Sequence, residues 1–254
     1  MNIYEAVFAR KSVRSFRMDA INTSLLEAIK NYHREAQGIF GQNGIDVTVV
    51  DNRLGQQKAL GIFGIRAPYY LLIYSEDGEK AAMNVGFVCQ QTVLYMCSKG
   101  IGSCIVNPAS AKRPLQRVNG KQLYGVVAFG RGKSGCNRKP VEANRLDMSK
   151  LCIYKEKPRL WMKQLLEAAR MAPSSLNSQP WRFVVYDNRI HIFCKSKKTE
   201  QMKKMDEINF GIMFANMIVV AEELWLDVDL IRLEDISQKT FLNSQYILSV
   251  ILRA

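Results

Sequence analysis

The pattern of apolar and polar positions divides the 254-residue chain into two similar runs of elements. Each run reads as an amphipathic helix, one or two strands, a long helix that is apolar on more than one face, and a closing strand. The first run places these elements at residues 22–37, 45–51, 69–74, 81–98 and 124–129. The second run places them at residues 160–171, 181–187, 190–193, 208–226 and 246–252. Helices and strands mixed without strict βαβ alternation favour an α+β fold, with a mixed sheet flanked by helices.

Short sequence matches connect the two runs in the same order. LLEAIK at 25–30 recurs as LLEAAR at 165–170, VVDNR at 49–53 as VYDNR at 185–189, NVGFVCQQ at 84–91 as NFGIMFAN at 209–216, and LYGVVAFGR at 123–131 as QYILSVILR at 245–253. The offset falls from 140 to 122 residues, as loop deletions in a second copy would produce. We therefore expect two homologous halves, residues 1–140 and 141–254, joined through a linker at 132–157 and forming an intramolecular pseudo-dimer.

The charge of the chain favours anionic ligands. Lys and Arg number 36 against 23 Asp and Glu, which gives a formal net charge of +13. No basic sheet motif rich in aromatic residues accompanies this charge, so we expect no specific nucleic-acid partner.

Composition also excludes several classes of protein. No apolar run reaches the roughly 18 residues that span a bilayer, and residues 1–16 lack the apolar core of a secretory signal. The six cysteines form no C-x-x-C pair, and neither of the two histidines lies at metal-ligand spacing. We expect reduced, buried thiols, no metal, no membrane span and a cytoplasmic protein.

Candidate chemistry is divided between the two runs. Arg10-Lys11-Ser12-Val13-Arg14 places cations and a hydroxyl on one short segment, which suits a phosphate. At an offset of 140 the second run has Lys150, Cys152 and Tyr154 instead, so this anion site is degraded there.

The second run carries a polar loop between its amphipathic helix and its strand. Pro173 and Pro180 bracket Ser174-Ser175-Leu176-Asn177-Ser178-Gln179. These hydroxyl and amide groups are donors and acceptors that could read the edge of a heterocycle. The alternative interpretation is an ordinary polar loop.

Three segments together resemble the FMN-dependent nitroreductase family: RKSVR at 10–14, GIGSC at 100–104 and APSSLNSQPWRF at 172–183. Members of that family are usually homodimers with flavin sites at the subunit interface. One subunit supplies the Arg-x-Ser-x-Arg segment and the glycine turn, and the other supplies the Pro-Ser loop. The resemblance covers nearly the whole chain and implies a fused dimer with one complete site, hence one FMN per chain and a monomer or weak homo-oligomer.

The resemblance also implies roles for individual residues. Those expected at the phosphate and at the ribityl or pyrimidine side are Arg10, Lys11, Ser12, Arg14, Arg138 and Lys139. Those expected along the ring and ribityl chain are Pro173, Ser174, Ser175, Asn177 and Gln179. Gly100, Ile101, Gly102 and Ser103 would form the turn leading to the reactive edge of the flavin.

Two positions depart from the family pattern. Pro108 has no N–H, so only the backbone of Asn107 could donate to the flavin edge there. Arg66 is the nearest cation to the position where the family has a lysine beside the flavin.

The implied activity is two-electron transfer from transiently bound NAD(P)H, through FMN, to a small-molecule acceptor such as a nitroaromatic or a quinone. No side chain need act as a general acid. Two alternatives stay open: a flavin carrier or sensor without turnover, and a flavin-fragmenting enzyme of the same superfamily.

Overall fold

A computed structural model describes residues 1–35, 39–40, 44–55, 64–106, 109, 113–195, 199–237 and 244–252. Its helices are α1 (Ile3–Ala9), α2 (Thr23–Glu35), α3 (Ala81–Ser98), α4 (Met148–Leu151), α5 (Leu160–Met171), α6 (Glu200–Glu223) and α7 (Glu234–Ser237). Its strands are β1 (Ile45–Asp51), β2 (Tyr69–Ser75), β3 (Gly102–Val106), β4 (Arg117–Val118), β5 (Lys121–Gly130), β6 (Cys152–Tyr154), β7 (Trp181–Val185), β8 (Arg189–Lys195), β9 (Val228–Ile231) and β10 (Ser244–Leu252).

The strands form two five-stranded sheets. In the first, the order is β1-β2-β5-β3, with β4 paired to β5, and every pairing is antiparallel. In the second, the order is β6-β7-β8-β10-β9, and β6 runs parallel to β7 in an otherwise antiparallel sheet. One antiparallel and one mixed sheet, packed with helices, confirm the predicted α+β class.

The two long helices α3 and α6 pack against each other at the centre of the molecule. Both bury residues around most of their circumference, which confirms the prediction from their continuous apolar character. Gly86 of α3 and Gly211 of α6 allow this packing: a Cβ at either position would overlap with backbone atoms of the opposite helix. Gln90 also donates to Asn216 across the contact, at 2.8 Å.

The same hydrogen-bonded turn ends both long helices. After α3, the N–H of Gly100 bonds Cys97 and the N–H of Ile101 bonds Met96. After α6, the N–H of Trp225 bonds Glu222 and the N–H of Leu226 bonds Ala221. This arrangement is a Schellman motif, whose C′ residue takes a left-handed conformation. Gly100 (φ 75°) and Trp225 (φ 54°) both do so, although Trp225 carries a side chain.

Several elements differ from the sequence prediction. Helix α6 begins at Glu200 rather than at 208, because the polar stretch EQMKKMDE extends it beyond the apolar run. The predicted linker contains α4 and β6, and β6 joins the second sheet. Strands β3 and β9 were not predicted, since each is a short run that follows a long helix.

All six cysteines are free and buried, as predicted. Within the described residues, no group of His, Cys, Asp and Glu has the arrangement of a metal site. Nor does any helix in those ranges have the length and apolar character needed to cross a membrane.

Candidate functional site

One cleft brings the two candidate segments together, although they lie about 160 residues apart in the chain. Ser12 and Arg14 line one side, and residues 173–176 line the other. The remaining lining residues are Ile65, Cys104, Ile105, Val106, Asn209 and Ile212. The empty space is about 570 Å³, a figure that includes the open mouth of the cleft.

The segment at 10–16 lies along the edge of the first sheet. Ser12 bridges Ser103 in parallel fashion, and the N–H of Val13 donates to the carbonyl of Ser103 at 2.9 Å. A Cβ at Gly102 would lie 2.9 Å from the Val13 side chain. Glycine at 102 therefore lets the segment lie flat on β3, which places Ser12 and Arg14 at the mouth of the cleft.

Arg10 is a buried cation beside this cleft. Its side chain is 4% exposed, and its Nη2 donates to Ser12 Oγ at 3.3 Å. Within the described chain, its Nη1 has no hydrogen-bond partner. Burial lowers the Arg10 pKa to about 10, and the nearby charges of Arg138 and Arg14 add to that shift. A guanidinium in this condition fits an anionic partner.

Arg138 and Arg145 are half-buried cations near Arg10. Burial lowers the pKa of both, and that of Arg145 to about 10, where repulsion from Arg138 and Arg10 contributes further. In the described residues, Arg138 Nε and Nη2 and Arg145 Nε are buried without a hydrogen-bond partner. We call Arg10, Arg138 and Arg145 the arginine cluster. Their four orphaned N–H-bearing nitrogen atoms fit the oxygens of a phosphate.

Sequence reasoning missed Arg145, because it falls in the stretch taken for a linker. Its Nη1 donates to Asn177 Oδ1 at 3.0 Å, and its Nη2 donates to the carbonyl of Met171 at 3.1 Å. Arg145 therefore connects the arginine cluster to the polar loop. The available signal was its position seven residues after Arg138, in the same basic stretch.

The polar loop is held in an unusual backbone conformation. Leu176, Asn177 and Gln179 all have positive φ, at 56°, 55° and 45°. Ser174 Oγ accepts from the N–H of Gln179 at 2.9 Å, and Gln179 Oε1 accepts from the N–H of Leu146 at 2.8 Å. Non-glycine residues in this region cost about 1–3 kcal/mol each and persist where surrounding contacts fix them.

Asn209 of α6, a second residue that was missed, holds the loop from below. Its Oδ1 accepts from both the N–H and the hydroxyl of Ser175, at 2.9 and 3.1 Å. Its amide nitrogen donates to Asp206 at 3.2 Å. The match between NVGFVCQQ and NFGIMFAN contained Asn209, but only the structure places it beneath the loop.

The other predicted residues lie as follows. The predicted turn lies behind the 10–14 segment; it comprises Gly100, Ile101, Gly102 and Ser103. On this strand, the residues that line the cleft begin with the next one, Cys104. Lys11 Nζ donates to the carbonyl of Ser134, and the Lys139 side chain is exposed. The amides of Asn177 and Gln179 bond within the protein rather than pointing at the cleft. Arg66 is exposed beside Gly55, and Asn107 and Pro108 lie outside the described residues.

A family model described as "Putative TM nitroreductase" matches residues 2–221 of the chain. The chain belongs to this nitroreductase family. This chain is similar to a protein from Thermotoga maritima, described as a "putative nitroreductase", whose crystal structure is solved. Its TM-score is 0.64 at 19% identity, over 99% of this chain and 94% of that one. The fold is therefore nitroreductase-like.

Two further solved structures of nitroreductases with bound FMN align with only part of this nitroreductase-family chain. The one from Desulfitobacterium hafniense has 16% identity and a TM-score of 0.44, over 58% of this chain and 100% of that one. The one from Bacteroides fragilis has 21% identity and a TM-score of 0.42, over 58% and 98%. Among curated proteins, no sequence matches this chain.

Proposed function

We propose that this chain binds one FMN in the cleft between two homologous halves and transfers two electrons from NAD(P)H to a small organic acceptor such as a nitroaromatic or a quinone. One observation carries the proposal. Ser12 and Arg14, from the amino-terminal segment, line the same cleft as the Pro173–Ser175 loop. These are the two segments that the family resemblance assigns to opposite sides of a flavin.

The arginine cluster supports the phosphate end of this proposal. Arg10 is buried and Arg138 and Arg145 are half-buried, their charges repel one another, and each has at least one buried side-chain nitrogen without a hydrogen-bond partner in the described residues. A dianionic phosphate would satisfy those donors and offset the repulsion. Ser12 would add a hydroxyl, since it already contacts Arg10. Lys139 contributes charge from the surface.

The rest of the cleft supports the ring end. Ile65, Ile105, Val106 and Ile212 supply apolar surface against which a planar heterocycle could pack. Ser174 and Ser175 lie at its rim, and Asn209 fixes Ser175 from behind. Bound flavin would supply the two-electron chemistry. The protein would orient the ring and exclude water from its buried face.

Three positional pairs support an internal duplication, with halves at residues 1–140 and 141–254. All three share the offset of 125. Gly86 and Gly211 form the close helix contact, and Gly100 and Trp225 occupy the same place in matching Schellman motifs. In the third pair, Asn84 Oδ1 accepts from the N–H of Phe40 as Asn209 accepts from Ser175.

The halves differ at the position opposite the cleft, which supports one site rather than two. There the Asn84 partner is Phe40, whose ring lies under the Lys80 ammonium at 4.9 Å, in place of the Ser174-Ser175 loop. A sequence offset of 140 aligns Lys150, Cys152 and Tyr154 with Arg10, Ser12 and Arg14, but β6 pairs with β7, whereas Ser12 bridges β3 at the opposite edge of the first sheet. The second half therefore does not repeat the arrangement in which the basic segment lies along the strand that follows the long helix.

Anaerobic titration of FMN-loaded protein with NADH and NADPH tests the activity. We expect loss of the oxidised flavin absorbance with at least one nucleotide, followed by its return when a quinone or a nitroaromatic is added. Oxidised flavin that persists with both nucleotides would contradict electron transfer and favour the carrier or sensor alternative. Mass analysis after aeration distinguishes intact FMN, which we expect, from the products of flavin fragmentation.

A further inference from the structure

Two buried cysteines meet behind the arginine cluster. Cys97 is in the last turn of α3, and Cys136 lies in the loop that follows β5. The Cys97 sulfur is 3.8 Å from the carbonyl oxygen of Cys136, and the Cys136 sulfur is 3.9 Å from the carbonyl oxygen of Cys97. These reciprocal contacts place the two side chains side by side.

We propose that Cys97 and Cys136 are a redox-active dithiol that a hydroperoxide oxidises to an intramolecular disulfide. This role is separate from electron transfer at the cleft and does not require bound flavin. Each sulfur atom lies against the backbone of the other cysteine, at 3.8 and 3.9 Å from its carbonyl oxygen, and an S–S bond of roughly 2.05 Å would join the two side chains at this contact.

The surroundings divide the roles between the two sulfurs. The neighbouring Cys97 thiol and the Lys11 ammonium lower the pKa of Cys136, which favours its thiolate form. The same contact and burial raise the pKa of Cys97. Cys136 is also the more accessible, at 8% exposed against 2% for Cys97. Cys136 is therefore the attacking nucleophile, and Cys97 resolves the product.

The reaction balances with one hydroperoxide molecule. The Cys136 thiolate attacks one peroxide oxygen, the O–O bond breaks, and hydroxide leaves to be protonated, which forms a sulfenic acid on Cys136. The sulfur of Cys97 then attacks the Cys136 sulfur and loses its proton, the S–O bond breaks, and water leaves. With hydrogen peroxide, two thiols and one peroxide give one disulfide and two water molecules.

The loop that carries Cys136 is bonded directly to the segment that carries Arg10. The carbonyl of Cys136 accepts from the N–H of Lys11 at 3.0 Å, and Asn137 forms a bridge with Arg10. The N–H of Arg138 donates to the carbonyl of Ala9 at 2.7 Å. A disulfide between Cys97 and Cys136 would therefore join the end of α3 to the loop that carries Arg138 and is bonded to the Arg10 segment.

Hydrogen peroxide treatment of the purified full chain, followed by alkylation and peptide mass mapping, tests the proposal. We expect the free thiols to fall from six to four, with one linked peptide joining Cys97 and Cys136 and full recovery after dithiothreitol. Unchanged thiols, or a linked peptide from another pair such as Cys97 and Cys104, would overturn it.

Variants separate the two roles. Cys97→Ser should stop at a sulfenic acid on Cys136 that dimedone traps, and Cys136→Ser should leave Cys97 reduced. Cys89→Ala is the matched control: Cys89 is also on α3, but burial raises its pKa to about 12, so its loss should leave disulfide formation unchanged. Dimedone labelling of Cys89 at the rate of Cys136 would contradict the assignment. None of these measurements requires bound flavin. If the disulfide does not form, the proposed electron transfer at the cleft is therefore not contradicted.

Discussion

Gly86 and Gly211 lie against each other's helix where α3 and α6 cross. A Cβ on Gly211 would overlap with the carbonyl oxygen of Met83, and one on Gly86 would overlap with that of Ile208. Two helices reach this separation only where neither carries a side chain at the crossing. The crossing lies at the centre of the molecule, and α6 also carries Asn209 and Ile212 to the cleft. The packing of the core and the shape of the site thus depend on the same pair.

Gly211→Ala should destabilise the protein by about 1–3 kcal/mol, because overpacking outweighs the gain of roughly 1 kcal/mol that alanine brings to a helix. Urea unfolding followed by circular dichroism measures the change. Gly78→Ala is the control, since a Cβ there meets no atom within 4 Å, and it should change the unfolding free energy by less than about 0.5 kcal/mol. Equal stability of the two variants would contradict the close helix contact.

Trp225→Gly should stabilise the protein by about 1 kcal/mol, because a residue with a side chain pays that much in the left-handed conformation. Trp225 is 95% exposed, so little packing is lost. Thermal unfolding provides the measurement. Trp225→Ala removes the indole but keeps the strain, and it should melt close to the parent protein. If alanine stabilised as much as glycine, the effect would come from the indole and not from the backbone.

Asn209→Ala should weaken FMN binding by about tenfold, or roughly 1.4 kcal/mol, because Ser175 loses both of its contacts to Oδ1. Fluorescence quenching of FMN measures the affinity. Asn84→Ala is a matched control, because Asn84 makes the corresponding bond to Phe40 on the other side of the molecule. It should lower stability and leave FMN affinity within about twofold. Equal losses of affinity would contradict the assignment of the cleft.

Arg145→Met should weaken FMN binding by about tenfold or more while leaving riboflavin binding unchanged, because riboflavin lacks the phosphate that the arginine cluster fits. Parallel titrations with the two flavins measure this difference. Arg159→Met, at an exposed ion pair with Asp187, should alter neither affinity. A parallel loss for both flavins would mean that Arg145 acts by holding Asn177 rather than by binding phosphate.

His191 should make stability depend on pH between about 4 and 6.5. Burial and the Arg189 charge lower its pKa to about 4, and Arg189 Nε donates to His191 Nε2 at 3.3 Å, which fixes the neutral ring with its proton on Nδ1 toward Ser249. The unfolded chain binds a proton at higher pH than the folded one. Stability is therefore full above about pH 6.5 and falls as pH drops toward 4, by up to about 1.4 kcal/mol per pH unit.

Unfolding free energies of wild type and His191→Gln across this range test the pH dependence. The variant should have the shallower slope. Identical slopes for wild type and His191→Gln would exclude His191 as the group responsible.

Periodicity predicted the elements with strong local patterns. The bounds of α3, α5 and β1 agree with the prediction, because capping turns and proline mark their ends and apolar spacing marks their faces. Strand β6 was missed because its pairing with β7 is a long-range contact with no local period.

The site was predictable only as far as its motifs extended. Ser12, Arg14 and Ser174 carried recognisable patterns, and their meeting in one cleft followed from the family resemblance. Arg145 and Asn209 act through contacts to distant segments, Met171 and Ser175, that no local pattern encodes. Gly102 was predicted to form a turn toward a ligand. In the structure, the absence of a side chain at Gly102 leaves room for the Val13 side chain.

The number of FMN molecules bound per 28.9 kDa chain tests the central claim most directly. Extracted flavin and protein concentration, measured on gel-filtered, FMN-saturated protein, give this ratio. One cleft assembled from two different segments predicts a ratio of one FMN per chain. A ratio of two would show that the opposite position also binds flavin, and a ratio of zero would show that the cleft does not bind it; either result would contradict the account.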